Sequence, residues 1–359
     1  MKDNRVIYID LMRIFSMLSV MLFHIAIYDN HFAADSFGSH LVQFLDKTIR
    51  YPVPLFFMIS GVFFLMPDKD ITLKKIIRKY IFHILTAFLF WAGIYTVLFN
   101  VIGIVPDVQD KWNYLIGDRH FWYLFSITGL YLVTPFIRVI AKEKDEMLLR
   151  YLLLLSVITT SILPAFTSVI VSKDLPTLIN RFDLRMFTGY VFYFVAGHYI
   201  CTYKIDKKIT RLIYLTGVLC FLITFLAPYL KNAFFINRET VTRFHITFHT
   251  HNFFNYLTGY TSLNMICITL SIFLFFKEYI TKIEFSDLSL KIIKQINKYS
   301  FGIYLVHYIF VLVFPEIGLT NDMFHPLMSI AVKLVLNFIC CFITVHIISK
   351  IPYVNRFVI

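Results

Sequence analysis

Apolar residues in this chain gather into stretches of roughly 20, separated by short polar or basic connectors. A helix rising about 1.5 Å per residue needs about that many residues to cross a hydrocarbon core about 30 Å thick. The stretches fall at about 7–28, 51–66, 80–103, 121–140, 149–172, 186–203, 210–230, 253–276, 299–315 and 326–349. The longest connector, about 22 residues, is too short for a soluble domain, and no internal repeat or Gly/Ser linker breaks the pattern. Composition agrees. The chain is 58% hydrophobic and 16% charged, against about 25% charged in a soluble domain. A cytosolic enzyme, a secreted disulfide scaffold and a disordered protein are excluded. The expected fold class is all-α: a polytopic transmembrane bundle of about 10 helices, forming one integral-membrane domain over residues 1–359.

The formal charge of +12 is distributed as membrane topology requires rather than as a nucleic-acid surface. With the N-terminus cytoplasmic, the inner segments hold 22 Lys and Arg and the outer ones 10, with Arg13 and Lys333 inside helices. Both termini are therefore expected on the cytoplasmic side. The opening residues begin like a signal peptide. They lack a small-residue cleavage site, however, and Arg13 and His24 would interrupt its core, so a retained first helix is expected. The five cysteines, Cys201, Cys220, Cys267, Cys340 and Cys341, show no paired spacing and read as packing residues.

Ionisable groups inside lipid-spanning helices are costly and draw attention to function. Arg13 and His24 stand 11 residues apart, which at about 100° per residue places both on one helix face, about 16 Å apart along the axis. Asp10, three residues before Arg13, shares that face and can pair with it. A snorkelling arginine and a hydrogen-bonded core histidine would give the same pattern. Ser300, Tyr304 and His307 form a second stripe, in which Ser300 and His307 lie about 10 Å apart along the helix, too far for a direct Ser–His pair. These three line a substrate site or hold helices together. His120, Trp122 and Tyr123 form either an interfacial aromatic belt or a surface on which a sugar ring stacks. His245, His249 and His251 of "HITFHTH" suit a polar loop better than a zinc site, for want of a fourth ligand and a frame. Lys333 and His346 in the last span carry no motif, and are expected to be satisfied between helices or near the interface.

Several of these segments share a further likeness. "YIDLMRIFSMLSVMLFH", with ten residues between Arg13 and His24, resembles the opening helix of the membrane acyltransferase-3 family. "VPLFFMISGVFF" at 53–64 resembles the family's second helix and "KKIIRKY" at 74–80 its basic Arg-x-x-Arg segment. "HFWYLFSITGLYLVTPFI" at 120–137 resembles its His-x-Trp helix, "YFVAGHYI" at 193–200 its Phe-x-x-Gly helix, and "SFGIYLVH" at 300–307 its penultimate helix. Six such segments occur in the right order. Within the family, the likeness is to O-acetyltransferases of surface polysaccharides, such as that of enterobacterial common antigen. One position departs from the motif: Lys75 stands where the first arginine is expected, with Arg78 as the second. Lysine keeps the charge and loses the bidentate fork.

The resemblance implies a multi-pass protein of the bacterial plasma membrane. It would move an acetyl group from cytoplasmic acetyl-CoA to a hydroxyl of a cell-surface or lipid-linked polysaccharide. Its partners would be acetyl-CoA, the glycan acceptor and membrane lipids, with no nucleic acid and no metal, and self-association into a homo-oligomer stays open. His24, Arg13 and Asp10 are the catalytic candidates. Arg13, Lys74, Lys75, Arg78 and Lys79 are the candidates for the cofactor's phosphates, which favour Arg and Lys clusters; an ordinary positive-inside loop would look the same. His120, Trp122, Tyr123, Ser300, Tyr304 and His307 would line the substrate. His24 is either a general base or a covalent acyl carrier. The distance from Arg13 to His24 is comparable to an extended phosphopantetheine arm. A succinyl donor in place of acetyl is an alternative. So is a glycan flippase or other secondary transporter, although such proteins commonly carry mid-membrane carboxylates and internal repeats.

Overall fold

A computed structural model describes residues 6–103, 120–169, 189–235, 240–243, 246–249 and 256–357. The connectors 104–119 and 173–185, with His245 and His251, lie outside the described residues, and of His249 only the backbone is described.

The helices are α1 (Ile7–Tyr28), α2 (Phe37–Thr48), α3 (Pro52–Leu65), α4 (Phe82–Ile102), α5 (Trp122–Glu143), α6 (Glu146–Val157), α7 (Val191–Thr202), α8 (Lys207–Phe235), α9 (Leu263–Glu278), α10 (Asp287–Glu316) and α11 (Pro326–Ile348). Among the described residues nine helical stretches are long and apolar enough to cross a membrane. Shorter α7 stands where the span at 186–203 is expected. Among the described residues the fold is all-α but for a two-stranded antiparallel hairpin, β1 (Thr240–Arg243) and β2 (Ile246–His249), which pairs Thr240 with His249. Local chemistry sets the helix ends. Asp145 caps α6 by accepting from the Leu148 amide, Ser262 caps α9 and Ser286 caps α10. Gly103 stops α4 in a left-handed conformation, φ 74°, that a side chain would oppose.

The chain forms two compact units. The first comprises residues 1–45, 69–136 and 284–359. In it α1 packs on α10 and α11. Asp29, just past the end of α1, receives a 2.8 Å hydrogen bond from Lys333 Nζ of α11 and a 2.7 Å one from the Asn321 amide. The Asn321 side-chain amide donates to the carbonyls of Ile25 and Asp29, satisfying acceptors that the end of a helix leaves without partners. Lys333 is thus satisfied between helices, as expected. His346 likewise meets Tyr299 Oη at 3.0 Å.

The second unit comprises residues 46–68 and 137–283. Here α3 and α7 cross at backbone distance through two reciprocal glycines. A Cβ on Gly61 would lie 1.7 Å from the Phe194 carbonyl oxygen, and one on Gly197 would lie 2.1 Å from that of Met58. Gly217 of α8 similarly admits Ser271 of α9. Small residues at such crossings let helices gain packing where lipid offers no hydrophobic drive for association. Arg138, buried on α5, donates to the carbonyls of Phe64 and Met66 and so closes the end of α3. None of the five cysteines forms a disulfide.

Candidate functional site

The predicted residues that come together all belong to the first unit, on α1, on α10 and at the residues leading into α5. Near the start of α1, Asp10 and Arg13 meet a residue that the sequence reading did not select. Asn297 of α10 donates from Nδ2 to Asp10 Oδ1 at 2.6 Å, and its Oδ1 accepts from Arg13 Nη1 at 3.2 Å. A single amide thus serves a carboxylate and a guanidinium, using donor and acceptor in the one orientation that satisfies both. Asn297 lies three residues before Ser300 on the same stripe. That spacing was the available signal, but an isolated asparagine has no distinctive chemistry in sequence. Ser300 is buried, and its Oγ donates to the Asn297 carbonyl at 2.9 Å.

Three turns along α1, His24 meets His307. Its Nδ1 lies 2.9 Å from His307 Nε2, and the two rings stack at 5.1 Å with an interplanar angle of 22°. His307 is fully buried, and its Nδ1 lies 2.6 Å from the Tyr304 carbonyl oxygen. This contact determines the tautomers. A carbonyl only accepts, so His307 Nδ1 carries a proton and, in the neutral ring, Nε2 is the acceptor. His24 must then donate from Nδ1, which leaves the basic lone pair of a neutral His24 on Nε2. Asn337 holds the helix at this point by donating to the His307 carbonyl at 3.1 Å, and Cys341 Sγ bonds in turn to Asn337 Oδ1. From α4, Tyr95 donates to the Leu305 carbonyl at 2.9 Å.

His120 completes the group. Its ring is buried and stacks on Tyr308 at 5.3 Å; its edge meets His307 at 5.3 Å, and the Tyr304 hydroxyl donates to its carbonyl. Tyr123 packs edge-on against Tyr304 at 5.7 Å. Trp122, half-buried, begins α5 beside it. His120, Tyr123 and Tyr304 are therefore assembled with His307, which meets His24, whereas Ser300 belongs with Asn297. Among the described residues no set of three His, Cys, Asp or Glu could hold a metal ion.

The basic segment is exposed and irregular. Lys74, Lys75, Arg78 and Lys79 all lie on its surface. Residues Ile76–Ile81 widen into a π-helical turn in which the Phe82 amide bonds to the Ile77 carbonyl, a distortion often found at functional sites. Lys75 is engaged by Asp70, at 2.5 Å from its carboxylate and 2.9 Å from its carbonyl. Lys79 Nζ lies 5.6 Å from the Tyr80 ring centre.

A family model described as an acyltransferase domain matches residues 6–346, nearly the whole chain and every helix named above except the last two residues of α11. No curated protein and no solved structure matches the chain.

Proposed function

We infer, from a chain that belongs to the acyltransferase-3 family and spans the membrane several times, that this acyltransferase moves an acetyl group from acetyl-CoA to a saccharide hydroxyl. The observation that carries this reading is the relay from the Tyr304 carbonyl through His307 to His24, which presents an imidazole in the tautomer a general base needs. His24 Nε2 takes the proton of the acceptor hydroxyl as its oxygen attacks the thioester carbon. The tetrahedral intermediate then collapses, the C–S bond breaks, and the thiolate leaves with that proton as free CoA. His307 touches no substrate in this scheme; it holds the His24 ring and tautomer.

Acetyl-CoA would approach from the cytoplasmic side. There Lys74, Lys75, Arg78, Lys79 and Arg13 would meet its phosphates, and the pantetheine arm would run along α1. At about 1.5 Å per residue, the distance from Arg13 to His24 is about 16 Å. Asn297, itself bonded to Asp10, holds the Arg13 guanidinium in place. The excess of basic residues in the inner segments supports cytoplasmic termini, and the family supports a bacterial plasma-membrane location. A cell-surface or lipid-linked polysaccharide is the acceptor this arrangement suits best. His24 lies near the end of α1 that this topology directs outward.

Mass spectrometry of surface glycans from cells with and without the gene tests the reading. An acetyl increment present only with the gene is expected. A succinyl increment would replace the donor, and identical glycans in both strains would overturn the assignment. Labelling of single cysteines with an impermeant reagent tests the topology: position 70 should stay unlabelled in intact cells, and position 240 should react.

A further inference from the structure

His120 is buried, 3% exposed, yet neither of its ring nitrogens makes a well-formed hydrogen bond; the backbone acceptor near the ring, the Leu305 carbonyl, already accepts from Tyr95. Every imidazole carries at least one N–H, and leaving such a donor unmade inside a protein is costly. A buried polar group of this kind calls for an explanation. Slack is not one. The ring is held on several sides, stacked on Tyr308, edge-on to His307 and tilted against Phe121 at 4.1 Å and Tyr95 at 5.4 Å. Its backbone is also fixed, because the Tyr304 hydroxyl donates to the His120 carbonyl. The carbonyl of the same Tyr304 accepts from His307. One tyrosine therefore sets the position of residue 120 and the orientation of the ring that orients His24.

Resting on the acetyl-transfer reading, we propose that His120 donates a hydrogen bond from a ring N–H to the acyl carbonyl oxygen of the bound thioester. Attack by the acceptor hydroxyl moves the C=O π electrons onto that oxygen, and a donor already in place stabilises the charge as it forms. His24 cannot fill this role while its Nδ1 proton is given to His307 and its Nε2 takes the substrate proton. The neighbouring hydroxyls of Tyr95 and Tyr304 already donate to the carbonyls of Leu305 and His120. His120 keeps its proton throughout, since it only donates and the negative charge leaves with the thiolate. A ligand oxygen would also give this donor the well-formed bond that the protein does not.

The test compares His120→Phe, His120→Asn and His120→Ala in native membranes, following transfer of radiolabelled acetyl-CoA into the glycan fraction. Binding of acetyl-CoA and thermal stability are measured on the purified proteins. His120→Phe keeps the packing and removes the donor, so kcat should fall about 10²- to 10³-fold with acetyl-CoA binding and thermal midpoint unchanged. His120→Asn restores a donor and should exceed His120→Ala at least tenfold. Full activity in His120→Phe, or equal rates in the Asn and Ala variants, overturns the donor role and leaves a packing histidine. Should the Phe variant fail to fold, the Asn-to-Ala ratio decides alone. Failure of the underlying reading is distinguishable, because wild-type membranes would then transfer no acetyl group, and the proposal would fall with it.

Discussion

The two units bury polar side chains for different ends. In the second unit buried Arg138 and half-buried Lys277 address backbone: Arg138 closes the end of α3, and Lys277 donates to the Ile200 carbonyl. Its tightest helix crossing depends on the absence of side chains at Gly61 and Gly197. In the first unit buried side chains bond one another, Asp10 with Asn297 and Asp29 with Lys333, and half-buried His24 meets buried His307. Each such pair fixes a side chain at both ends, which chemistry requires and packing alone does not. On the proposed mechanism the first unit carries the reaction and the second supports it, although the second also has a buried pair across helices, Asn264 with Thr224.

The largest expected effect tests that division on the supporting side. Gly61→Val would drive a side chain into the Phe194 carbonyl, and the obstacle is backbone, which cannot rotate away. Overpacking costs about 1–3 kcal/mol where side chains can yield and more where they cannot. Little folded protein should therefore be recovered in detergent. Gly93→Ala, with nothing within 4 Å of its added Cβ, should be neutral or slightly stabilising. Wild-type stability in Gly61→Val would remove the close crossing.

Next in size, and on the catalytic side, is His24→Gln. It keeps a polar side chain and loses the base, so kcat should fall about 10²- to 10⁴-fold with unchanged thermal midpoint. Wild-type glycan acetylation in this variant would make His24 structural. His307→Phe should lower kcat less, because the base survives while its orientation is lost.

Lys333→Met sharpens the comparison within the first unit. Both Lys333 and Asp29 are about 2% exposed in their side chains. Breaking one side of such a pair costs about 3–5 kcal/mol, since a carboxylate stays buried with fewer partners. A fall in thermal midpoint is expected, and adding Asp29→Asn should restore much of it. An unchanged midpoint in the single variant would show that the pair contributes nothing to stability.

The smallest effects belong to the exposed basic segment. Lys75→Ala with Arg78→Ala should raise KM for acetyl-CoA roughly tenfold at most, with kcat little changed, because solvent-exposed ionic contacts are weak one by one. Asp70→Asn should act the other way, lowering KM by releasing Lys75 from the carboxylate that now holds it. Loss of kcat at constant KM in the double variant would take these residues out of cofactor binding.

Much of this molecule follows from local pattern. The positions of the long helices are legible because each must carry enough apolar residues to cross the membrane, a constraint written entirely along the chain. The shared face of Asp10, Arg13 and His24, and the stripe of Ser300, Tyr304 and His307, follow from helix period. What period could not supply is which stripes meet. Asn297, Asn337, Asp29 and Asn321 gain their roles only when α1, α10 and α11 come together, because an amide or carboxylate has no assignable partner until its neighbours across space are known. The break between α2 and α3, the close crossing of α3 on α7 and the engagement of Lys75 by Asp70 also depend on distances that sequence spacing does not encode. The tautomer of His24 is the clearest case: residue type makes it a candidate base, and a carbonyl 280 residues away in the chain, at Tyr304, decides which nitrogen is basic.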